Sequence, residues 1–141
     1  MEPQTFTTNL SLDEIEQRTG VRVLVLSGRD EARLTSLAVR RWRGWSAGRI
    51  LALDIGGGSL ELTLGDDEDP DIAKSLLLGA GRVTRDLLPG NPPSAQEIKA
   101  ARRAVRATLA KEIRPYAKAS SPDTVLGTSK TMRSLARIAG A

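Results

Sequence analysis

Asp54-Ile55-Gly56-Gly57-Gly58-Ser59-Leu60-Glu61 joins two short apolar runs, Arg49–Asp54 and Leu60–Leu64, each of strand length. Three consecutive glycines cost backbone entropy, and a hairpin turn seldom needs more than one or two. They let several backbone N–H groups converge on one point, forming a nest that holds an anion, and Ser59 adds a hydroxyl donor. Asp54 ends the incoming strand beside this nest and Glu61 begins the outgoing one. Carboxylates next to a phosphate cradle repel the ligand unless a cation lies between them. Magnesium meets that need with one or two carboxylates plus phosphate oxygens and water. The plainer alternative is a flexible turn with both carboxylates in solvent. The loop is not a Walker A motif, because no Gly-Lys-Ser/Thr follows, and not a dinucleotide fingerprint, because the next element is a strand.

Outward from this loop, the acidic turn Gly65–Asp71 leads to a third apolar run, Ile72–Leu78. Neither gap can hold a crossover helix, so the three strands are expected as an antiparallel meander. Asp66-Asp67-Glu68-Asp69-Pro70-Asp71 lacks calcium-loop ligand spacing and reads as a solvated turn. Upstream, Ser11 and Glu14 form a capping box for a helix that ends near Gly20. Val21–Leu26 reads as a buried strand, and Ser27-Gly28 turns the chain into a second helix. Asp30 and Glu31 lie in its first turn, with an apolar stripe of Leu34, Leu37, Ala38 and Trp42. The loop Arg43–Gly48 is the candidate boundary between two structural units. Downstream, a short helix spans Arg82–Leu88. A second capping box, Ser94 with Glu97, opens a long basic helix to about Ala119. A short strand Asp123–Leu126, a tight turn Gly127–Lys130 and a last helix Thr131–Ala139 complete the chain.

Composition narrows the chemistry. The 141 residues contain no cysteine and no histidine, which removes thiolate nucleophiles, disulfides, zinc ribbons and His-dependent triads. Catalysis is left to Asp, Glu, Ser, Thr, Lys, Arg, backbone N–H groups and a hard cation. The aliphatic, aromatic-poor composition suits layered α/β packing. No apolar run approaches the ~18 residues needed to span a bilayer, and Met1–Leu10 lacks a signal peptide's pattern, so a cytoplasmic protein is expected. Charge is uneven: residues 1–94 carry a net −3 and residues 95–141 a net +7, with Arg the dominant base. This favours a polyanionic partner, unless the arginines merely solubilise a helix face. Aromatic side chains for base stacking are scarce, and nucleic acid is set aside.

The string DIGGGSLEL, preceded by VLSGRDEARLTSLAV and followed by SLLLGAGRVTRDLL and VLGTSKTMRSLA, resembles the Ppx/GppA exopolyphosphatase and guanosine pentaphosphate phosphohydrolase family. The blocks lie in the family's order from about Leu10 to Ala141. The resemblance implies an α/β fold of the ribonuclease-H-like, actin-like ATPase type, carrying the three-strand meander. It also implies a terminal αβα piece of a preceding, similar domain. Residues 1–46 are then the C-terminal portion of domain I, and residues 47–141 most of domain II, truncated at its C-terminus. The family's first phosphate-binding hairpin is absent, so the sequence is expected to be a fragment or a short product with one wall of the cleft missing.

The resemblance also implies roles. The catalytic base falls on Glu31, with Asp30 where the family usually has Glu. Asp54 and Glu61 become metal-associated carboxylates for Mg²⁺. Gly56, Gly57, Gly58 and Ser59 become phosphate donors, joined by Gly127, Thr128, Ser129 and Lys130 of the later loop. Lys130 replaces a glycine there, and either adds a cation to the phosphate chain or points outward. Arg33 is a candidate for holding the remaining polyanion. The expected reaction is hydrolysis of a terminal phosphoanhydride of inorganic polyphosphate or guanosine pentaphosphate by a Glu-activated water. The alternative is a non-catalytic polyphosphate- or alarmone-binding module. Without the resemblance, Glu31 reads simply as a helix-dipole residue. An incomplete domain with exposed apolar surface also raises homodimerisation.

Overall fold

The computed structural model describes residues 11–140. Met1–Leu10, the stretch read above for a signal peptide, and Ala141 lie outside the described residues. Four strands, β1 (Ile50–Ile55), β2 (Leu60–Gly65), β3 (Ile72–Leu76) and β4 (Thr124–Thr128), form one sheet in the order β3-β2-β1-β4. The expected meander is present: β1 pairs antiparallel with β2, and β2 with β3. β4 joins the other side of β1 in parallel, Ile50 opposite Thr124 through Asp54 opposite Thr128.

Helices cover both faces. On one face α2 (Gly28–Arg43) packs Val39 against Ile50 and Ala52, with Ala47 and Leu126 alongside. On the other, Leu60, Leu62 and Leu76 meet Leu53, Ile55 and Leu78 and are covered by Leu109 of α4 (Ala95–Glu112) and Tyr116 of α5 (Arg114–Lys118). The Tyr116 hydroxyl donates to the Leu62 carbonyl at 2.8 Å, so a buried polar tip is paired. The remaining helices are α1 (Leu12–Thr19), α3 (Ala80–Leu87) and α6 (Ser129–Ile138). Both capping boxes form as expected, and Gly20 closes α1 in the left-handed conformation.

Four local expectations are corrected. Val21–Leu26 pairs with no strand among the described residues and lies exposed, Leu24 at 75%. An apolar run becomes a strand only when a neighbour takes its N–H and C=O groups. The apolar stripe of α2 does not face the sheet: Leu34, Ala38 and Trp42 are exposed, Leu37 is half-buried, and the buried residues are Ala32, Val39 and Arg40. α2 lies too close to the sheet for a leucine at its start. A Cβ on Gly28 would come 2.8 Å from Ser75. Arg40 is tolerated inside because its guanidinium donates to the carbonyls of Gly48 at 2.7 Å and Gly65 at 3.0 Å. The long basic helix breaks at Ile113, since Pro115 supplies no N–H to continue the ladder. Finally, no turn separates β4 from the last helix. Gly127 and Thr128 belong to the strand, and α6 begins at Ser129.

Candidate active site

The strand register assembles the site. Asp54 lies directly opposite Glu61 on β2 and Thr128 on β4, and Glu61 lies opposite Ser75 on β3. Direct cross-strand partners share a face, so Thr128, Asp54, Glu61 and Ser75 form one polar row across all four strands. Hydroxyls at its two ends serve the carboxylates in the middle. The Thr128 Oγ1 donates to Asp54 Oδ2 at 2.5 Å, and the Ser75 Oγ donates to Glu61 Oε1 at 2.9 Å. Glu61 is only 4% exposed. Among the described residues, neither carboxylate has an Arg or Lys ion-pair partner. Like charges directly opposite each other destabilise a sheet, and nothing positive in the described chain offsets this pair.

The row lies at the C-terminal ends of the parallel strands β1 and β4, the edge at which open α/β sheets bind ligands. From there β1 enters Gly56–Ser59, closed by Gly56 N–H donating to the Ser59 carbonyl at 3.0 Å. The loop's carbonyls face the start of α3. Gly56 O accepts from Ala80 N–H at 2.9 Å, Gly57 O from Arg82 N–H at 3.0 Å, and Gly58 O from Arg82 Nε at 3.1 Å. Gly79 permits this contact, because a Cβ there would sit 2.4 Å from Gly58 C and Ser59 N. The N–H groups of Gly57, Gly58 and Ser59 have no partner among the described residues. None of the three glycines adopts positive φ. A Cβ on Gly57 or Gly58 would meet no atom within 4 Å. The backbone there is bare, exposed and able to donate.

The other expected residues divide. Gly28 on Ser75 brings the first turn of α2 to the β3 end of the polar row. In that turn Asp30 accepts from the Ser27 hydroxyl at 2.6 Å, whereas the exposed Glu31 carboxylate has no hydrogen-bond partner among the described residues. Ser129 follows Thr128 at φ 79°, a left-handed conformation that costs a non-glycine residue on the order of 1 kcal/mol or more and clusters at functional sites. Lys130 is exposed in the first turn of α6. Arg33 is not brought to this edge: its Nη2 pairs with Asp69 of the β2–β3 turn at 2.7 Å, at the opposite end of β2 from the glycine loop. Sequence reading missed Ser75, Gly79 and Arg82. Gly79-Ala80-Gly81-Arg82 carried a visible signal in its paired glycines, whereas a lone serine inside a strand carries none.

The mixed four-stranded sheet with helices on both faces is an α/β fold of the actin-like ATPase type, shared with solved Ppx/GppA structures. The chain belongs to the Ppx/GppA phosphatase family, whose profile matches residues 11–141. It is 55% identical over 130 residues to exopolyphosphatase 1 of Mycobacterium tuberculosis, covering 92% of this chain and 38% of that protein. Among solved structures, an exopolyphosphatase-like protein superposes with a TM-score of 0.75 at 30% identity, covering 92% of this chain and 41% of that one. An exopolyphosphatase from Cytophaga hutchinsonii gives 0.69 at 26% identity, covering 90% and 40%. The chain thus spans about two-fifths of the length of the relatives it matches. Among the described residues no helix is long and apolar enough to cross a membrane.

Proposed function

We propose that this sequence, within a chain of its relatives' length, belongs to a cytoplasmic hydrolase that releases terminal orthophosphate from inorganic polyphosphate. Guanosine pentaphosphate presents the same terminal phosphoanhydride and is the second substrate of the reading. The observation that carries it is the pairing of an open, donating glycine loop with two uncompensated carboxylates at one sheet edge. The exopolyphosphatase names of the relatives support the substrate class. Because α2 packs on the sheet of residues 50–128, with Val39 against Ile50 and Ala52, the boundary between the two domains falls before Gly28 on this reading rather than at residues 46 and 47.

Asp54 and Glu61 suit a hard divalent cation, since both offer oxygen and their mutual repulsion falls when one binds. No cluster of three or more such ligand groups occurs among the described residues, so phosphate oxygens and water complete any coordination shell. Asp54 and Glu61 would hold Mg²⁺ there, and it would supply charge neutralisation for the phosphoryl group. The N–H groups of Gly57, Gly58 and Ser59, with the Ser59 hydroxyl, hold the phosphoryl oxygens in line. Glu31 takes a proton from water as the new P–O bond forms, and the bridging P–O bond breaks toward the shortened polyanion. Such a reaction is mostly positioning and electrostatics, which a site without His or Cys can supply. Thr128, Ser129 and Lys130 follow one another at the end of β4 beside Asp54, and the exposed Lys130 either adds a cation for the polyanion or points outward.

The test is Glu31→Gln in the full-length chain, assayed by phosphate release and by polyphosphate binding. Turnover is expected to fall at least ~100-fold, the lower end for a positioned acid–base group, with binding retained. Unchanged turnover removes Glu31 from the mechanism. For the 141-residue sequence by itself, binding without turnover is the favoured reading, because Glu31 stands exposed with nothing opposite it among the described residues.

A further inference from the structure

We infer that Ser75 is a positioning residue that sets Glu61 for the cation and seats the helix carrying Glu31; the inference rests on the function proposed above. Ser75 stands at the β3 end of the polar row, and its hydroxyl is the donor to Glu61 Oε1 at 2.9 Å. Among the described residues it is the one hydrogen-bond donor to this nearly fully buried carboxylate. A carboxylate held this way has one oxygen pinned and leaves the other without a hydrogen-bond donor among the described residues. Hydrogen-bond partners of this kind orient metal ligands, and their loss typically weakens metal affinity roughly ten- to a hundredfold.

The second task of Ser75 is steric. A Cβ built on Gly28 would lie 2.8 Å from both the Cβ and the Oγ of Ser75. The first residue of α2 therefore rests on Ser75 through bare backbone, and glycine is required there by contact, its φ being ordinary. Glu31 lies three residues further on, within the first turn. One side chain thus touches both halves of the chemistry: the ligand carboxylate through its hydroxyl, and the helix of the base through its Cβ. Position 28 controls the height of the helix, and position 75 controls both helix and carboxylate.

The two tasks separate by substitution in the full-length chain. Ser75→Ala removes the hydroxyl and keeps the Cβ. It is expected to weaken Mg²⁺ binding, read by calorimetry without substrate, roughly ten- to a hundredfold. Gly28→Ala keeps the hydroxyl but lifts α2. It is expected to lower kcat on the order of a hundredfold, as a displacement of about 1 Å does, with Mg²⁺ affinity unchanged. Ser75→Gly combined with Gly28→Ala restores space for the helix but not the donor, so kcat at saturating Mg²⁺ recovers while the weakened affinity persists. Wild-type Mg²⁺ affinity in Ser75→Ala overturns the positioning role while leaving the proposed function standing. A wild-type protein that neither binds Mg²⁺ nor releases phosphate overturns both.

Discussion

At the β2–β3 end of the sheet, Asp66, Glu68, Asp69 and Asp71 are all met by arginines. Arg33 pairs with Asp69, Arg41 with Glu68, and Arg49 with both Asp66 and Asp71. Two of those arginines belong to α2, so the turn fastens that helix to the sheet. At the opposite end Asp54 and Glu61, more buried, meet hydroxyls rather than cations. The same side-chain chemistry is thus ion-paired in the β2–β3 turn and left without a cationic partner at the edge where we propose the phosphate site. The acidic run, which by local density of charge looks the better cation site, is an ion-paired turn. The proposed cation ligands, Asp54 and Glu61, differ from that run in having no ion-pair partner among the described residues.

The contrast can be broken by removing charge from either end, and the largest effect is expected at the uncompensated one. Asp54→Asn or Glu61→Gln in the full-length chain should lower phosphate release on the order of a hundredfold or more, the loss typical of one electrostatic contributor. Retention of half the wild-type rate overturns the assignment. Next in size is the response to cation. At about a hundred times its dissociation constant, Mg²⁺ should add ~2.7 kcal/mol to unfolding stability. Thermal melts should show that gain in wild type and lose it in the Asp54→Asn, Glu61→Gln double variant.

The ion-paired end should respond more weakly. Arg49, 18% exposed and serving two carboxylates, should cost about 1 kcal/mol when replaced by Ala. Arg41, exposed and paired once, should cost less than ~0.5 kcal/mol, vanishing in high salt. Urea unfolding reads both, and neither variant should alter the Mg²⁺ response. The smallest effect is expected at the start of α4. There the Ser94 hydroxyl, with the N–H groups of Ser94 and Gly90, holds the Glu97 carboxyl below the ordinary glutamate range. A depressed folded pKa gives stability that is present above the unfolded value and lost as pH falls through the folded one. Wild type and Ser94→Ala should therefore differ at neutral pH and converge in acid titration.

Much of this molecule was legible in local pattern. Both capping boxes, the meander and the short helix after it follow from signals contained within a few residues, and such signals survive any tertiary setting. The glycine loop was recognised, but for an incomplete reason. No steric contact requires glycine at 57 or 58, where a Cβ would meet nothing within 4 Å; the close approach that demands glycine is at Gly79, which packs on that loop. Val21–Leu26 and the α2 stripe were misread for a shared cause. Apolar periodicity says that a face can be buried, but which neighbour arrives, and how closely, is not encoded within the segment.

The sequence by itself determined the capped helices and the antiparallel order of β1, β2 and β3, and the short glycine loop between β1 and β2 keeps Asp54 near Glu61. Only the tertiary structure decided that β4 lies beside β1, placing Thr128 against Asp54 across 74 residues, and that Gly28 rests on Ser75. The physical reason is range. Loop length and alternation constrain residues a few positions apart, whereas long-range neighbours are selected by the packing of the whole sheet and its covering helices.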